Sequence, residues 1–159
     1  MISQRIFGFE PGEEGVQLSD NFTAGEFVGK KGRGKPWFVS TNLVNLVQAL
    51  RSSMNMPIRI NSGYRDYAYN KAIGGAKNSK HMLGIAVDIA IPPGVTGMYM
   101  AAKLYQLGAR RIGIAPTFVH IDTAPGEAYW VYDRVGSGRF KKQKTRAATP
   151  EEVARIKCL

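Results

Sequence analysis

Seven residues, Ile85-Ala86-Val87-Asp88-Ile89-Ala90-Ile91, constrain this chain more than any other stretch. β-Branched residues stand at alternate positions, and Pro92-Pro93-Gly94 closes the run, so it reads as a strand. Residues two apart on a strand share a face. Ile85, Val87 and Ile89 therefore make one wholly apolar face, and Ala86, Asp88 and Ala90 make the other. The small alanines leave room above the carboxylate. A buried carboxylate without a partner is costly, so the fold must bring Asp88 something to bind.

The chain has two histidines, and both lie close to this problem. His81 precedes Asp88 by seven residues, with Gly84 allowing a bend between them. His120 sits in a second strand-like run, Phe118-Val119-His120-Ile121-Asp122, where the same parity places Phe118, His120 and Asp122 on one face. If the two strands are neighbours, Asp88 and His120 converge, and His81 arrives from the bend. Two imidazoles and one carboxylate, with a fourth position open to water, form a three-ligand zinc site of the catalytic type. Spacing alone leaves a plainer reading open: histidines satisfied within the core, and an aspartate that caps a turn or pairs with an arginine.

The remaining elements supply a scaffold. Leu43, Val44, Leu46, Val47 and Leu50 repeat at helical spacing, predicting a core helix over 41–54 capped by Ser40 or Thr41. Residues 57–62 alternate as a short strand and lead through Gly63-Tyr64-Arg65 into a polar helical piece that ends at Gly74-Gly75. A second core helix is expected over 96–107, a strand over 111–114, and a last strand, at a sheet edge, over 129–132. Leu18, Phe22 and Phe27 are expected to clip the lead-in, residues 1–36, onto the domain of residues 37–135. Lys30-Lys31-Gly32-Arg33-Gly34-Lys35 reads as an exposed loop; it lacks the strand and the following Ser or Thr of a phosphate-binding loop. In residues 136–159, the basic run from Arg139 to Arg146 reads as a linker. Thr149-Pro150-Glu151-Glu152 then has the form of a capping box that starts a short helix, one that must dock on this domain or on a partner.

A length of 159 residues suits one domain, and 44% hydrophobic content suits a globular one. No apolar run is long enough to span a membrane. The single cysteine, Cys158, excludes both an internal disulfide and a cysteine-built metal site. The net charge of +10 favours anionic surroundings such as nucleic acid, acidic wall polymers or anionic lipid. No nucleic-acid motif accompanies it, so binding through residues 139–146 rests on charge alone and is not expected.

Taken together, Asn61-Ser62-Gly63-Tyr64-Arg65, Asn70, Gly74-Gly75-Ala76, the pattern Ser79-x-His81-x-x-Gly84-x-Ala86-x-Asp88, and Phe118-Val119-His120-Ile121-Asp122 carry a resemblance. They resemble the zinc D-Ala-D-Ala carboxypeptidases and, more broadly, the M15 peptidase group, related to the lysostaphin and Hedgehog folds. The resemblance covers about residues 18–125. It implies that His81, Asp88 and His120 bind Zn2+, that Arg65 contacts substrate or a developing oxyanion, and that Ser79 supports the site. It also implies peptidoglycan stem peptides as substrate. The fold expected is α+β: a small, mostly antiparallel sheet flanked by helices, with zinc in a cleft over the sheet.

One departure from the family pattern bears on turnover. Many relatives carry an acidic general base three residues before the last zinc histidine, where this chain has Thr117; others carry a histidine two residues before it, where this chain has Phe118. Asp122, roughly 7 Å along the strand from His120, is the nearest alternative, as a base through water or as a group that orients the histidine. Glu127 and Asp133 are more distant candidates. The first eight residues lack the apolar core of a secretory signal. The expectation is therefore a protein made in the cytoplasm that acts on the cell wall after release, as a bacteriophage lytic enzyme or a virion component. The rival expectation is a catalytically weak zinc-binding module of a phage tail, docking on other virion proteins through the lead-in and the basic tail.

Overall fold

The computed structural model describes residues 4–135 and 142–158. Strand β1 (Ile6–Phe9) pairs antiparallel with β4 (Trp37–Ser40), and β2 (Gln17–Ser19) pairs with β3 (Phe22–Thr23). Phe22 and Phe27 are fully buried and Leu18 packs against the same core, so the lead-in is clipped on as its apolar residues require. Ser40 then starts helix α1 (Thr41–Met54), its hydroxyl accepting from the Leu43 amide at 3.3 Å. The helix ends at Asn55 in the left-handed region, and Leu43, Val44, Val47 and Leu50 form its buried stripe.

Next come β5 (Ile60–Ser62), the short helix α2 (Tyr67–Ala72), a 3-10 turn over Lys80–Leu83, β6 (Ala86–Ala90) and helix α3 (Gly97–Gln106). Strands β7 (Arg111–Ile114), β8 (Phe118–Asp122), β9 (Ala128–Val135) and β10 (Lys142–Ala147) follow, and helix α4 (Pro150–Lys157) closes the chain. Six strands form the main sheet in the order β10-β9-β7-β8-β6-β5, antiparallel throughout except for the β7–β9 pair. The expected α+β class is what the structure shows.

The two faces of this sheet divide the work. Val87, Ile89, Ile112, Val119 and Ile121 point to one side, where they meet the buried residues of α1 and α3 and Ile156 of α4 in a single core. Each such side chain contributes roughly 1.5–3 kcal/mol when fully buried. That contribution explains α4: eight residues are marginal as an isolated helix, but Ile156 is 1% exposed and Thr149 and Glu152 complete the expected capping box. The other face carries the alternate residues of the same strands and is left for chemistry.

Two sequence expectations need correction. The run read as a basic linker forms strand β10 over residues 142–147, paired with β9 in continuous register; residues 136–141 lie outside the described residues. The strand containing Tyr129–Tyr132 is consequently not at an edge, because β10 flanks it. A basic edge strand wet on both faces shows no hydrophobic alternation, and lysine or arginine on an edge is a common device against unwanted pairing. Arg146 adds local support by bridging Asp133 at 3.1 Å and Glu152 at 2.8 Å. Its guanidinium holds the Glu152 carboxyl down to about 2. No helix among the described residues is long and apolar enough to cross a membrane.

Candidate metal centre and its surroundings

Register places the chemistry in one line. Ser62 of β5 is opposite Asp88 of β6, Asp88 is opposite His120 of β8, His120 is opposite Gly113 of β7, and Gly113 is opposite Trp130 of β9. Parity keeps all five on the face away from the core. Ala86 and Ala90 flank Asp88 on this face. The Asn61-Ser62-Gly63-Tyr64-Arg65 segment supplies three contacts at the end of the line. Ser62 Oγ accepts from Arg65 Nε at 2.8 Å, and Arg65 Nη2 reaches Asp88 Oδ2 at 2.9 Å. The Gly63 carbonyl faces His81 Nδ1 at 2.7 Å. Gly63 must be glycine, because a Cβ there would fall 2.0 Å from the Phe27 carbonyl oxygen of the lead-in.

His81 enters from the 3-10 turn, which Ser79 caps by accepting from the His81 amide at 3.3 Å. A carbonyl only accepts, so Nδ1 of His81 carries the proton and donates it to Gly63. Its Nε2 faces Asp88 Oδ1 at 3.3 Å. His120 Nδ1 approaches the same Asp88 oxygen at 2.8 Å, while its Nε2 lies 3.4 Å from Asp122 Oδ2. Single donor atoms of His81, Asp88 and His120 thus come within 4.8 Å of one another, and all three side chains are buried.

These residues fit a divalent cation, and zinc in particular. Ligands about 2.1 Å from a tetrahedral ion stand about 3.4 Å apart, close to the 3.3 Å between His81 and Asp88. Two imidazole nitrogens and one carboxylate oxygen form a zinc donor set that keeps a fourth position open. Asp88 is ready as an anion: burial raises its carboxyl, but hydrogen bonds with His120 and His81 outweigh burial and hold it well below the ordinary range. For His120, burial lowers the imidazole while hydrogen bonds with Asp122 and Asp88 raise it, and the net direction is upward.

Asp122 is nearly inaccessible. Its Oδ1 accepts from Arg111 Nε at 2.6 Å and from the Ala124 amide at 3.1 Å, and its other oxygen faces the far nitrogen of His120. Burial raises this carboxyl, yet His120 and Arg111 bring it below its usual value. Thr117 lies exposed in the β7–β8 turn, where its carbonyl accepts from the Ile91 amide. Glu127 pairs with Lys157 at 2.7 Å and Asp133 with Arg146, both at the surface. The structure therefore brings Arg65, Ser79, His81, Asp88, His120 and Asp122 to one place, and leaves Thr117, Glu127 and Asp133 outside it.

Sequence reasoning missed an aromatic wall. Trp130 lies with its ring centroid 5.2 Å from that of His120, and Tyr132 lies 6.5 Å from His120 and 5.4 Å from Phe118. Gly113 makes this possible, since a Cβ on it would meet Trp130 Nε1 at 2.4 Å and Tyr132 Cε2 at 2.7 Å. The bare strand position lets both rings of β9 lean across β7 toward the histidine. Burial pushes the Tyr132 phenol up to about 12, so it stays protonated. The signal available in sequence was the pair of aromatics two apart on a strand. Nothing in it showed that β9 adds in parallel beside β7.

Comparison with known proteins agrees with this geometry. Over 44 residues the chain is 46% identical to the zinc D-Ala-D-Ala carboxypeptidase of Streptomyces albus G, a match covering 27% of this chain and 17% of that relative. The family model described as Peptidase M15 matches residues 20–122, a span that holds every residue of the His81, Asp88 and His120 set together with Arg65, Ser79 and Asp122. On that match, the chain belongs to the peptidase M15 family.

Proposed function

We propose that this protein is a zinc metallopeptidase that cuts peptidoglycan stem peptides or their crosslinks. The observation that carries the reading is the convergence of His81 Nε2, His120 Nδ1 and Asp88 Oδ1, with the Arg65 guanidinium 2.9 Å from the outer oxygen of Asp88. Zinc at such a site brings the acidity of its bound water toward neutrality and polarises the scissile carbonyl. The protein groups do the rest. Gly63 fixes the tautomer of His81, and Arg65 locks the Asp88 carboxylate while its remaining N–H groups are suited to a substrate carboxylate. Ser79 holds the turn that presents His81. Asp122 accepts from His120 Nε2–H and so sets the ring orientation. We assign Asp122 this positioning role, since both its oxygens are engaged behind the histidine.

The net charge of +10 suits a substrate embedded in anionic wall polymers and supports a place among bacteriophage lytic or virion-associated enzymes. A second reading, a zinc-binding docking module with weak turnover, draws on one observation: Thr117 is exposed on a turn, and no carboxylate other than Asp88 and Asp122 touches the ligand set among the described residues. One assay separates the two. Purified protein is incubated with peptidoglycan in zinc and in chelator, and released fragments are identified by mass spectrometry. The peptidase reading expects new peptide termini only with zinc. Intact stem peptides under zinc-replete conditions would refute it and favour the module.

A further inference from the structure

We propose that Tyr132 is a substrate-contacting residue of this site, its hydroxyl donating a hydrogen bond to a backbone carbonyl oxygen of a peptide seated between it and Arg65. This rests on the peptidase reading above and adds to it a group on the opposite flank of the metal ligands. Arg65 follows β5 at one end of the cross-strand line, and Tyr132 stands on β9 toward the other end. The strands between them carry Asp88, His120 and the bare Gly113 on this face. A peptide lying across the line passes both groups.

Three observations point to the hydroxyl rather than to the ring alone. The ring is fixed on two sides, by Phe118 at 5.4 Å and by Trp130 at 6.2 Å between centroids, so its tip has a defined position. The ring itself stands beside the ligand set, its centroid 6.5 Å from that of His120. The positions beside it on the same face are small or apolar: Ala90 lies opposite Phe118, and Gly113 has no side chain. The Trp130 indole N–H donates to the Tyr132 oxygen, which leaves the Tyr132 O–H as a donor that a phenylalanine would lack.

The test uses the full chain in two states. Metal-free protein is titrated with an N-acylated tripeptide ending in D-Ala-D-Ala, and binding is followed by NMR through the indole N–H of Trp130. Tyr132→Phe is expected to weaken this binding about tenfold, the size of one hydrogen bond, with zinc affinity unchanged within about threefold. In the zinc-loaded protein kcat/KM for the same peptide is expected to fall at least as far. Binding and kcat/KM within twofold of wild type would overturn the proposal and leave Tyr132 a packing residue. A wild type that neither binds nor cuts the peptide overturns this proposal, and one that also leaves whole peptidoglycan intact in zinc overturns the peptidase reading with it, patterns distinct from a variant that merely matches wild type. If Tyr132→Phe fails to fold, tyrosine-labelled wild type serves instead: a Tyr132 ring resonance that does not move on peptide addition overturns the proposal.

Discussion

At the scale of single residues, His120 is the pivot, because each ring nitrogen has a different carboxylate. Nδ1 faces Asp88 at 2.8 Å and Nε2 faces Asp122 at 3.4 Å. Asp122→Asn keeps the shape of the acceptor but removes its charge, and an outer partner of this kind is worth about 10–100-fold in metal affinity. We expect competition titration with a zinc chelator to show a loss of that size, and His120→Ala to lose zinc altogether. The pH dependence follows from the same trio. His120 is raised in the folded protein, so its contribution to stability is complete below its ordinary 6.5 and is lost as pH rises through the folded value. Asp88 and Asp122 are lowered, so theirs is complete above 3.8 and is lost as pH falls through the folded values. Metal-free protein should therefore melt highest between about pH 4 and 6.5. Zinc affinity should fall as pH drops, since the ion needs the Nδ1 lone pair that the proton occupies. Thermal melts across pH and calorimetry in buffers of different ionisation enthalpy check both signs.

At the scale of elements, the strands were legible where their two faces differ. Val87 and Ile89 against Ala86 and Asp88 gave β6 its parity, and the same alternation gave β8. Helices α1 and α4 were legible through their caps, Ser40 and Thr149 each accepting from a backbone amide of the first turn, and α3 through the apolar spacing of Met100, Ala101 and Leu104. What could not be read was β10, because Lys144, Thr145 and Arg146 are exposed and no burial imposes a pattern on them. The leaning of Trp130 and Tyr132 was hidden for a different reason, since it depends on a parallel neighbour that no local signal specifies. Gly113→Ala probes that arrangement directly. Its Cβ would fall 2.4 Å from Trp130 Nε1, so the β9 rings must move away from His120. Overpacking of this kind costs about 1–3 kcal/mol. We expect denaturant titration to show that loss and Trp130 emission to shift, while Trp37, fully buried against Phe9, stays unchanged.

At the scale of the whole molecule, one sheet serves two solvents. Its inner face, with α1, α3 and α4, excludes water, while its outer face holds buried polar groups that balance only as a set. Asp88 draws on His81, His120 and Arg65 together. A ligand that binds only the folded state stabilises it by RT ln(1 + [L]/Kd), about 4 kcal/mol at a thousandfold excess over Kd. Zinc should thus raise the melting midpoint of wild type and leave that of His81→Ala unmoved, as differential scanning calorimetry would show. The central claim is that His81, Asp88 and His120 close on one ion. Crystals grown with zinc and measured on both sides of its absorption edge test it most directly. The account expects one strong anomalous peak within about 2.3 Å of His81 Nε2, Asp88 Oδ1 and His120 Nδ1. Zinc-grown crystals with no peak at that point, or with these three side chains bonded to one another and not to an ion, would contradict it.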